Sequence, residues 1–127
     1  MFKITPIQST EEQIEVAKAC GTEYKTGSFG YSMRDAETGD LMGFSQFEIL
    51  GTCAFISDIK APLGYDDFEA MFILAKSTMN FIDTCGAHLC KVSESTAEER
   101  LLLAVGFKNY ECDTTGMFDG SHCSGHK

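Results

Sequence analysis

Residues 53–92 carry the pattern that decides the fold, and they read CAFISDIKAPLGYDDFEAMFILAKSTMNFIDTCGAHLCKV. Residues 53–59 and 87–92 are short apolar segments with strand-forming side chains. Between them, apolar residues follow the helical rhythm, and Asp66 with Glu69 can begin a helix there. The helical apolar positions are Phe68, Met71, Phe72, Ala75, Met79 and Ile82. A helical crossover returns the chain in the same direction, so the two strands are predicted to be parallel.

The first part of the chain predicts one strand and one helix. Residues 2–7 alternate like a short strand. Ser9 and Glu12 have the spacing of a capping box, which predicts a helix beginning there. Its apolar stripe is Ile14, Ala17 and Cys20, and Gly21 is placed to end it.

A three-stranded antiparallel meander is predicted next. Residues 29–35 and 41–49 have strand patterns, and the turn residues 37–40 lie between them. Gly51 breaks the chain before the 53–59 strand. Two hairpins in succession therefore lead into the crossover unit.

The last part predicts a short helix and a hairpin. Thr96 and Glu99 form a second capping box for a helix over 97–104, and Gly106 is placed to end it. Residues 107–118 are predicted to form a final hairpin. The order is β-α-β-β-β-α-β-α-β(β), which indicates a mixed α/β (α+β) sheet.

Composition limits the classes of protein to consider. The 127 residues are 43% hydrophobic, which suits a single domain over 1–118 with a short polar Cys/His tail over 119–127. With 10 basic and 19 acidic residues the net charge is −9, so we expect no binding to nucleic acid or membrane surfaces. The chain has no long apolar run and no apolar leader, so a cytoplasmic location with reduced cysteines is expected.

The order of elements resembles the GNAT (GCN5-related N-acetyltransferase) superfamily. The ending LAVGFK over 103–108 is similar to the family's entry into its last hairpin. The segment TGDLMGF over 38–44 is similar to its β2–β3 hairpin, and SDIK over 57–60 to the end of its strand β4. The resemblance implies the acyl-CoA N-acyltransferase fold.

The resemblance also implies a cofactor site. In the family, acyl-CoA lies where the strands corresponding to 53–59 and 87–92 move apart, and its pyrophosphate binds a glycine-containing loop before the helix. The residues implied for cofactor binding are Ile59, Lys60, Gly64 and Tyr65. In this loop only Gly64 matches the family pattern, and Asp66 and Asp67 place carboxylates where the pyrophosphate would bind.

Two carboxylates are candidates for the catalytic base that the resemblance implies. Asp58 lies near the end of one predicted strand and Glu48 lies on its neighbour. The acceptor would be a small-molecule or peptide amine, which an acidic protein attracts. Leu102 stands where many members have a tyrosine that protonates the leaving thiolate. The alternative is a catalytically inactive GNAT-fold binding or regulatory protein, which could be a homodimer.

A third possibility is a small metal-binding protein. Cys112, His122, Cys123 and His126 are residue types that bind zinc. Their spacing does not match a standard zinc finger, so the sequence favours a polar tail over a zinc site.

Overall fold

A computed structural model describes residues 1–118 of the chain and shows six strands and three helices. In chain order they are β1 (Phe2–Pro6), α1 (Thr10–Ala19), β2 (Phe29–Asp35), β3 (Leu41–Leu50), β4 (Cys53–Lys60), α2 (Phe68–Thr84), β5 (Leu89–Lys91), α3 (Glu99–Val105) and β6 (Glu111–Asp113). The predicted element order is confirmed up to α3. The tail over 119–127 lies outside the described residues.

The six strands form one sheet in the order β1-β2-β3-β4-β5-β6. Neighbours are antiparallel except β4 and β5, which are parallel, as the crossover through α2 predicts. The mixed α/β sheet is therefore confirmed.

The predicted final hairpin over 107–118 is wrong in its extent. The structure has only the three-residue β6, which pairs with β5, and one isolated bridge between Lys108 and Glu111. Asn109 and Tyr110, between these two residues, both have positive φ angles, 53° and 65°. Such a turn is typical of a hairpin, but the pairing does not extend, because Gly106 and Phe107 donate their amides to the Leu103 and Leu102 carbonyls at the end of α3.

The main core lies between the sheet and helices α2 and α3. Its fully buried members include Phe47 and Ile56 from the sheet and Leu74, Met79 and Leu101 from the helices. Gly43 on β3 lets α2 approach closely, because a Cβ there would lie 2.7 Å from Met71 Cε and 2.9 Å from Leu74 Cδ2.

Helix α1 covers the other face of the sheet with a small second core. Val16, Ala17 and Cys20 pack there against Phe44 of β3. The predicted stripe was wrong at Ile14, which is 46% exposed. Gln13 is buried instead, because it lies on the same face of α1 as Val16 and Ala17, which contacts the sheet.

The helix caps confirm one sequence prediction and correct two. Ser9 caps α1 as predicted and accepts from the Glu12 amide at 3.1 Å. Asp66 does not cap α2: the cap is Asp67, whose carboxylate accepts from the Ala70 amide at 3.0 Å. Thr96 does not cap α3, which begins two residues beyond the expected start.

Within the described residues, no helix is long and apolar enough to cross a membrane.

Asp67 and Asp66 provide a matched pair for testing the cap. Asp67→Ala is expected to cost about 1 kcal/mol more free energy of unfolding than Asp66→Ala, because only Asp67 satisfies a free helix amide. Asp67→Asn should retain most of that stability, since asparagine also caps well. Urea unfolding of the three variants measures this, and equal losses for Asp66→Ala and Asp67→Ala would contradict the assignment.

Candidate functional site

Strands β4 and β5 separate after a short parallel pairing. They pair only over Cys53–Leu89, Ala54–Cys90 and Phe55–Lys91. Beyond this point β4 continues to Lys60 while β5 ends at Lys91. The second half of β4 therefore has an edge that β5 does not cover.

A bulge in β4 lies at the point of separation. Gln46 of β3 faces Asp58, but the next residue, Phe47, faces Ile56, so Ser57 is an extra residue in β4. Such a bulge increases the local twist of a strand and redirects its side chains. Here Ile56 and Ile59 enter the main core, while Asp58 contacts the loop that follows α1.

A cleft of about 440 Å³ opens beside the bulge, and we call it the β4 cleft. The loop after α1, strand β4 and the loop after β5 form its walls. Its lining residues are Gly21, Thr22, Lys25, Phe55, Ser57, Asp58, Lys60, Ser93 and Ser95. The cleft thus lies next to the uncovered half of β4.

The Asp58 carboxylate is almost fully buried at this cleft, with the residue 3% exposed. Its Oδ1 accepts from Thr22 Oγ1 at 2.7 Å. Its Oδ2 accepts from Gln46 Nε2 at 2.9 Å and from Lys25 Nζ at 3.1 Å. A buried carboxylate needs such partners, and here both oxygens have them.

These partners determine how Asp58 titrates. Burial raises the pKa of the carboxyl, but the hydrogen bonds from Thr22, Gln46 and Lys25 and the charge of Lys25 outweigh it and hold the pKa below its usual value. Asp58 is therefore ionised at neutral pH. This suits a group that holds a cation better than one that takes a proton from it.

Two glutamines connect this carboxylate to α1, and neither was predicted as a site residue. Gln13 Nε2 donates to Gln46 Oε1 at 2.9 Å, and Gln46 Oε1 also accepts from the Lys25 amide at 3.0 Å. Gln13 could have been noticed, because it lies three, four and seven residues before Val16, Ala17 and Cys20 on the buried face of α1. No local pattern indicates Thr22 or Lys25.

Glu48 lies at a second, smaller pocket of about 140 Å³. Lys25, Phe55 and Ser57 line this pocket together with Glu48, and all three also line the β4 cleft. The structure thus places the two predicted carboxylates at two pockets that share these three lining residues.

The uncovered edge of β4 is occupied by a segment of the chain itself, Ser93–Thr96. The Ile59 amide donates to the Thr96 carbonyl at 2.9 Å, and Thr96 Oγ1 donates to the Ile56 carbonyl at 2.8 Å. Lys60 Nζ donates to the Ser95 carbonyl. Two of the predicted cofactor-binding residues, Ile59 and Lys60, are therefore engaged by this segment.

The other two predicted cofactor-binding residues lie in the loop before α2. Gly64 has φ +85°, which favours glycine, and the Tyr65 amide donates to Pro62 at 2.9 Å. Tyr65 is exposed. A positive charge lies near this loop, because the Arg100 guanidinium stacks over the Phe68 ring at the first residue of α2, 4.0 Å from its centre.

Of the four possible zinc ligands, only Cys112 lies within the described residues. It is buried and faces Cys90 across the β5–β6 pair, and burial raises the pKa of its thiol. Over residues 1–118, no three His, Cys, Asp or Glu side chains are grouped as a metal site would need. His122, Cys123 and His126 lie outside this range.

Comparison with solved structures supports the same fold, and 43 chains match. A GNAT family acetyltransferase from Streptococcus pneumoniae has a TM-score of 0.63 at 15% identity, covering 85% of this chain and 88% of that one. The ribosomal-protein-S18-alanine N-acetyltransferase from Escherichia coli has a TM-score of 0.68 at 11% identity, covering 85% and 78%. A GNAT family acetyltransferase from Elizabethkingia anophelis, solved with acetyl-CoA bound, has a TM-score of 0.64 at 13% identity, covering 84% and 76%.

The chain has the GNAT fold. No protein-family model matches the sequence, and no curated protein matches it either. Within the GNAT fold, Leu102 of α3 is buried and offers no proton to a leaving group. The fold therefore does not by itself decide the chemistry of this chain.

Asp58 is expected to make the free energy of unfolding depend on pH in the acid range. Its folded pKa is depressed, so its contribution is present above the unfolded value of about 3.8 and is lost as pH falls through the lower folded value. The difference in unfolding free energy between wild type and Asp58→Asn should therefore become smaller as the pH falls below about 3.8. Urea titrations at successive acid pH values measure it.

Asp113→Asn is the control for that titration. Its pKa is also lowered, through contacts with Thr115, but the carboxylate is exposed to solvent. The change in the control should therefore be smaller. A difference for Asp58→Asn that does not vary with pH would contradict the assigned network.

Thr96 is expected to be important for stability because it is fully buried and holds β4. Thr96→Val keeps the shape of the side chain but leaves the Ile56 carbonyl without its donor, which should cost about 1–3 kcal/mol. Thr26→Val, at an exposed position, should change stability by less than about 0.5 kcal/mol. Thermal or urea unfolding distinguishes the two, and similar small effects would contradict the role of Thr96.

Proposed function

We propose that the chain is an N-acyltransferase that moves an acetyl or other acyl group from acyl-CoA to an amine. One observation carries this proposal: β4 has a bulge and separates from β5 beside a cleft that contains a buried, ionised carboxylate. Neighbours with the same fold include acetyltransferases, one of them solved with acetyl-CoA.

Donors that could bind acyl-CoA are present on β4 and near the start of α2. The Ile59 amide could bind an acyl carbonyl, while Lys60 Nζ and the Arg100 guanidinium could bind phosphate oxygens. The Ser93–Thr96 segment uses the first two of these donors in the structure. Cofactor binding therefore requires this segment to release its three contacts with β4.

Acyl-CoA would supply the activated carbonyl carbon, and the chain would position the amine. Asp58 would hold the acceptor as an ammonium in the β4 cleft, and Glu48, at the adjoining pocket, would accept a proton from it. After deprotonation the amine nitrogen attacks the thioester directly, forming the C–N bond as the C–S bond breaks. Because Leu102 offers no proton, the leaving thiolate would take the second proton of the amine nitrogen, directly or through water.

The acceptor would be a small cationic molecule or a basic peptide. The net charge of −9 favours the approach of such ligands and opposes that of polyanions. We further propose a single domain over 1–118 that works in the cytoplasm, which agrees with the five free cysteines among the described residues.

A second candidate is a GNAT-fold binding or regulatory protein without catalysis, which could act as a homodimer. The Ile59–Thr96 hydrogen bond favours it, because it closes the edge along which a thioester would lie. The Asp67 cap favours it too, because its carboxylate already accepts from one free amide at the start of α2, where a phosphate would bind.

Calorimetric titration with acetyl-CoA separates the two candidates, and an acetylation assay with a panel of amines completes the test. The enzyme should bind acetyl-CoA and release CoA when an acceptor is added. Absence of binding at millimolar acetyl-CoA would overturn the acyltransferase and favour the binding protein.

Asp66→Asn is expected to strengthen acetyl-CoA binding about two- to fivefold, because it removes a negative charge beside the proposed phosphate loop without removing the cap. Asp40→Asn makes the same charge change in the β2–β3 turn and should leave the affinity unchanged. Titration of both variants measures the effect. Weaker binding by Asp66→Asn would show that the phosphates bind elsewhere.

A further inference from the structure

Lys25 places a primary amine inside the β4 cleft. Its Nζ lies 3.1 Å from Asp58 Oδ2 and donates to the Glu23 carbonyl at 3.3 Å. A buried carboxylate and a backbone carbonyl are the two kinds of acceptor that an incoming ammonium group would use. Lys25 thus occupies the position where Asp58 would hold an acceptor amine.

The same amine remains accessible. The Lys25 side chain is 44% exposed, although Asp58 is almost fully buried. Lys25 lines both the β4 cleft and the Glu48 pocket. The lysine is therefore accessible to a reagent in the cleft, whereas the carboxylate beside it is not.

The cleft connects this amine to the separated strands. Ser93 and Ser95, which belong to the segment on the β4 edge, line the same cleft as Lys25. Release of that segment from Ile59 would open the edge directly into the cleft. A thioester bound along the edge would then border the cleft that Lys25 lines.

We propose that Lys25 is an acylation site, modified by the chain's own acyltransferase activity; this rests on the function proposed above. The backbone around Lys25 favours this, because the Gln46 carboxamide holds the Lys25 amide at 3.0 Å and so fixes the base of the side chain. Holding both reacting groups in one cleft raises the reaction rate above that of a free lysine.

The reaction balances with acyl-CoA as the only co-reactant. The Lys25 ammonium loses one proton to solvent, and its nitrogen attacks the thioester carbonyl. The new C–N bond forms an amide, the C–S bond breaks, and the thiolate takes the second nitrogen proton. The products are acyl-lysine, free CoA and one proton.

Acylation would change the cleft as well as the lysine. The amide product is neutral, so Asp58 would lose its cationic partner while keeping the hydrogen bonds from Thr22 and Gln46. The carboxylate would then be free to bind an external cation. Self-acylation would in this way prepare the cleft for an acceptor amine.

The test is incubation of the intact protein with acetyl-CoA, followed by intact mass and peptide mapping. Wild type should gain one acetyl group at Lys25, at a rate per molecule that does not depend on protein concentration. Lys25→Arg keeps the positive charge and should not gain the group. Lys91→Arg is the matched control, because Lys91 is also paired with a carboxylate, Glu111, and is similarly exposed at 48%.

Asp58→Asn tests the positioning of the amine. Acetylation of Lys25 should fall at least about tenfold, because the orienting contact is lost. The melting temperature and acetyl-CoA affinity of this variant, measured alongside, separate lost positioning from lost structure. An unchanged rate of Lys25 acetylation in a folded Asp58→Asn variant would overturn the proposal.

The assay includes an external amine, so that two failures can be told apart. If the external amine is acetylated while Lys25 stays unmodified, self-acylation is overturned and the acyltransferase stands. Equal acetylation of Lys25 and Lys91 would also overturn self-acylation, since it indicates unselective chemistry. If acetyl-CoA does not bind and no amine is acetylated, both proposals are overturned.

Discussion

The buried carboxylate of Asp58 is the constraint on which this side of the molecule depends. A charge removed from water is costly unless it is paired and hydrogen-bonded, and Asp58 has three side-chain partners. Two of them, Thr22 and Lys25, lie in the loop after α1, so ionisation of Asp58 holds that loop against the sheet. Through Gln46 the same network reaches Gln13 and ties α1 to β3. Only a small core supports this helix, so the polar network contributes to its placement.

The bulge at Ser57 has consequences on both faces of β4. It turns Asp58 toward α1 while Ile56 and Ile59 remain in the main core. It also coincides with the end of the β4–β5 pairing, where backbone groups would otherwise lack partners. Thr96 supplies those partners through its carbonyl and hydroxyl. The residue that satisfies the edge is therefore also the residue that any ligand of the edge must displace.

The GNAT fold by itself does not decide the chemistry of this chain. Neighbours at 11% to 15% identity establish the architecture, and the residues at the cleft must establish the rest. The separated strands and the buried Asp58 carboxylate favour the proposed acyl transfer, whereas Leu102 and the Asp67 cap favour a binding protein. Lys25 lines the cleft beside Asp58, so the chain itself contains an amine at the position proposed for the acceptor.

Local pattern was enough to determine the order of the elements, the parallel β4–β5 pair and the position of Asp58 near the end of β4. Hydrophobic spacing and turn residues act over a few positions, and a crossover helix restricts the direction of the next strand. Element boundaries and caps were predicted less well. Asp67 and not Asp66 caps α2, because either aspartate can cap a helix and the path of the loop selects one. The final hairpin was overestimated because Gly106 and Phe107 stay hydrogen-bonded to the end of α3, which the residue pattern does not indicate.

Only the tertiary structure decided what surrounds Asp58 and what covers the edge of β4. Lys25 and Thr22 are 33 and 36 residues away from Asp58 in the chain, and Thr96 is 40 residues away from Ile56. Contacts over such separations follow from the register of β3 against β4 and from one bulge in it. Neither leaves a periodic trace in the sequence, because a single inserted residue changes the direction of the side chains without changing their composition.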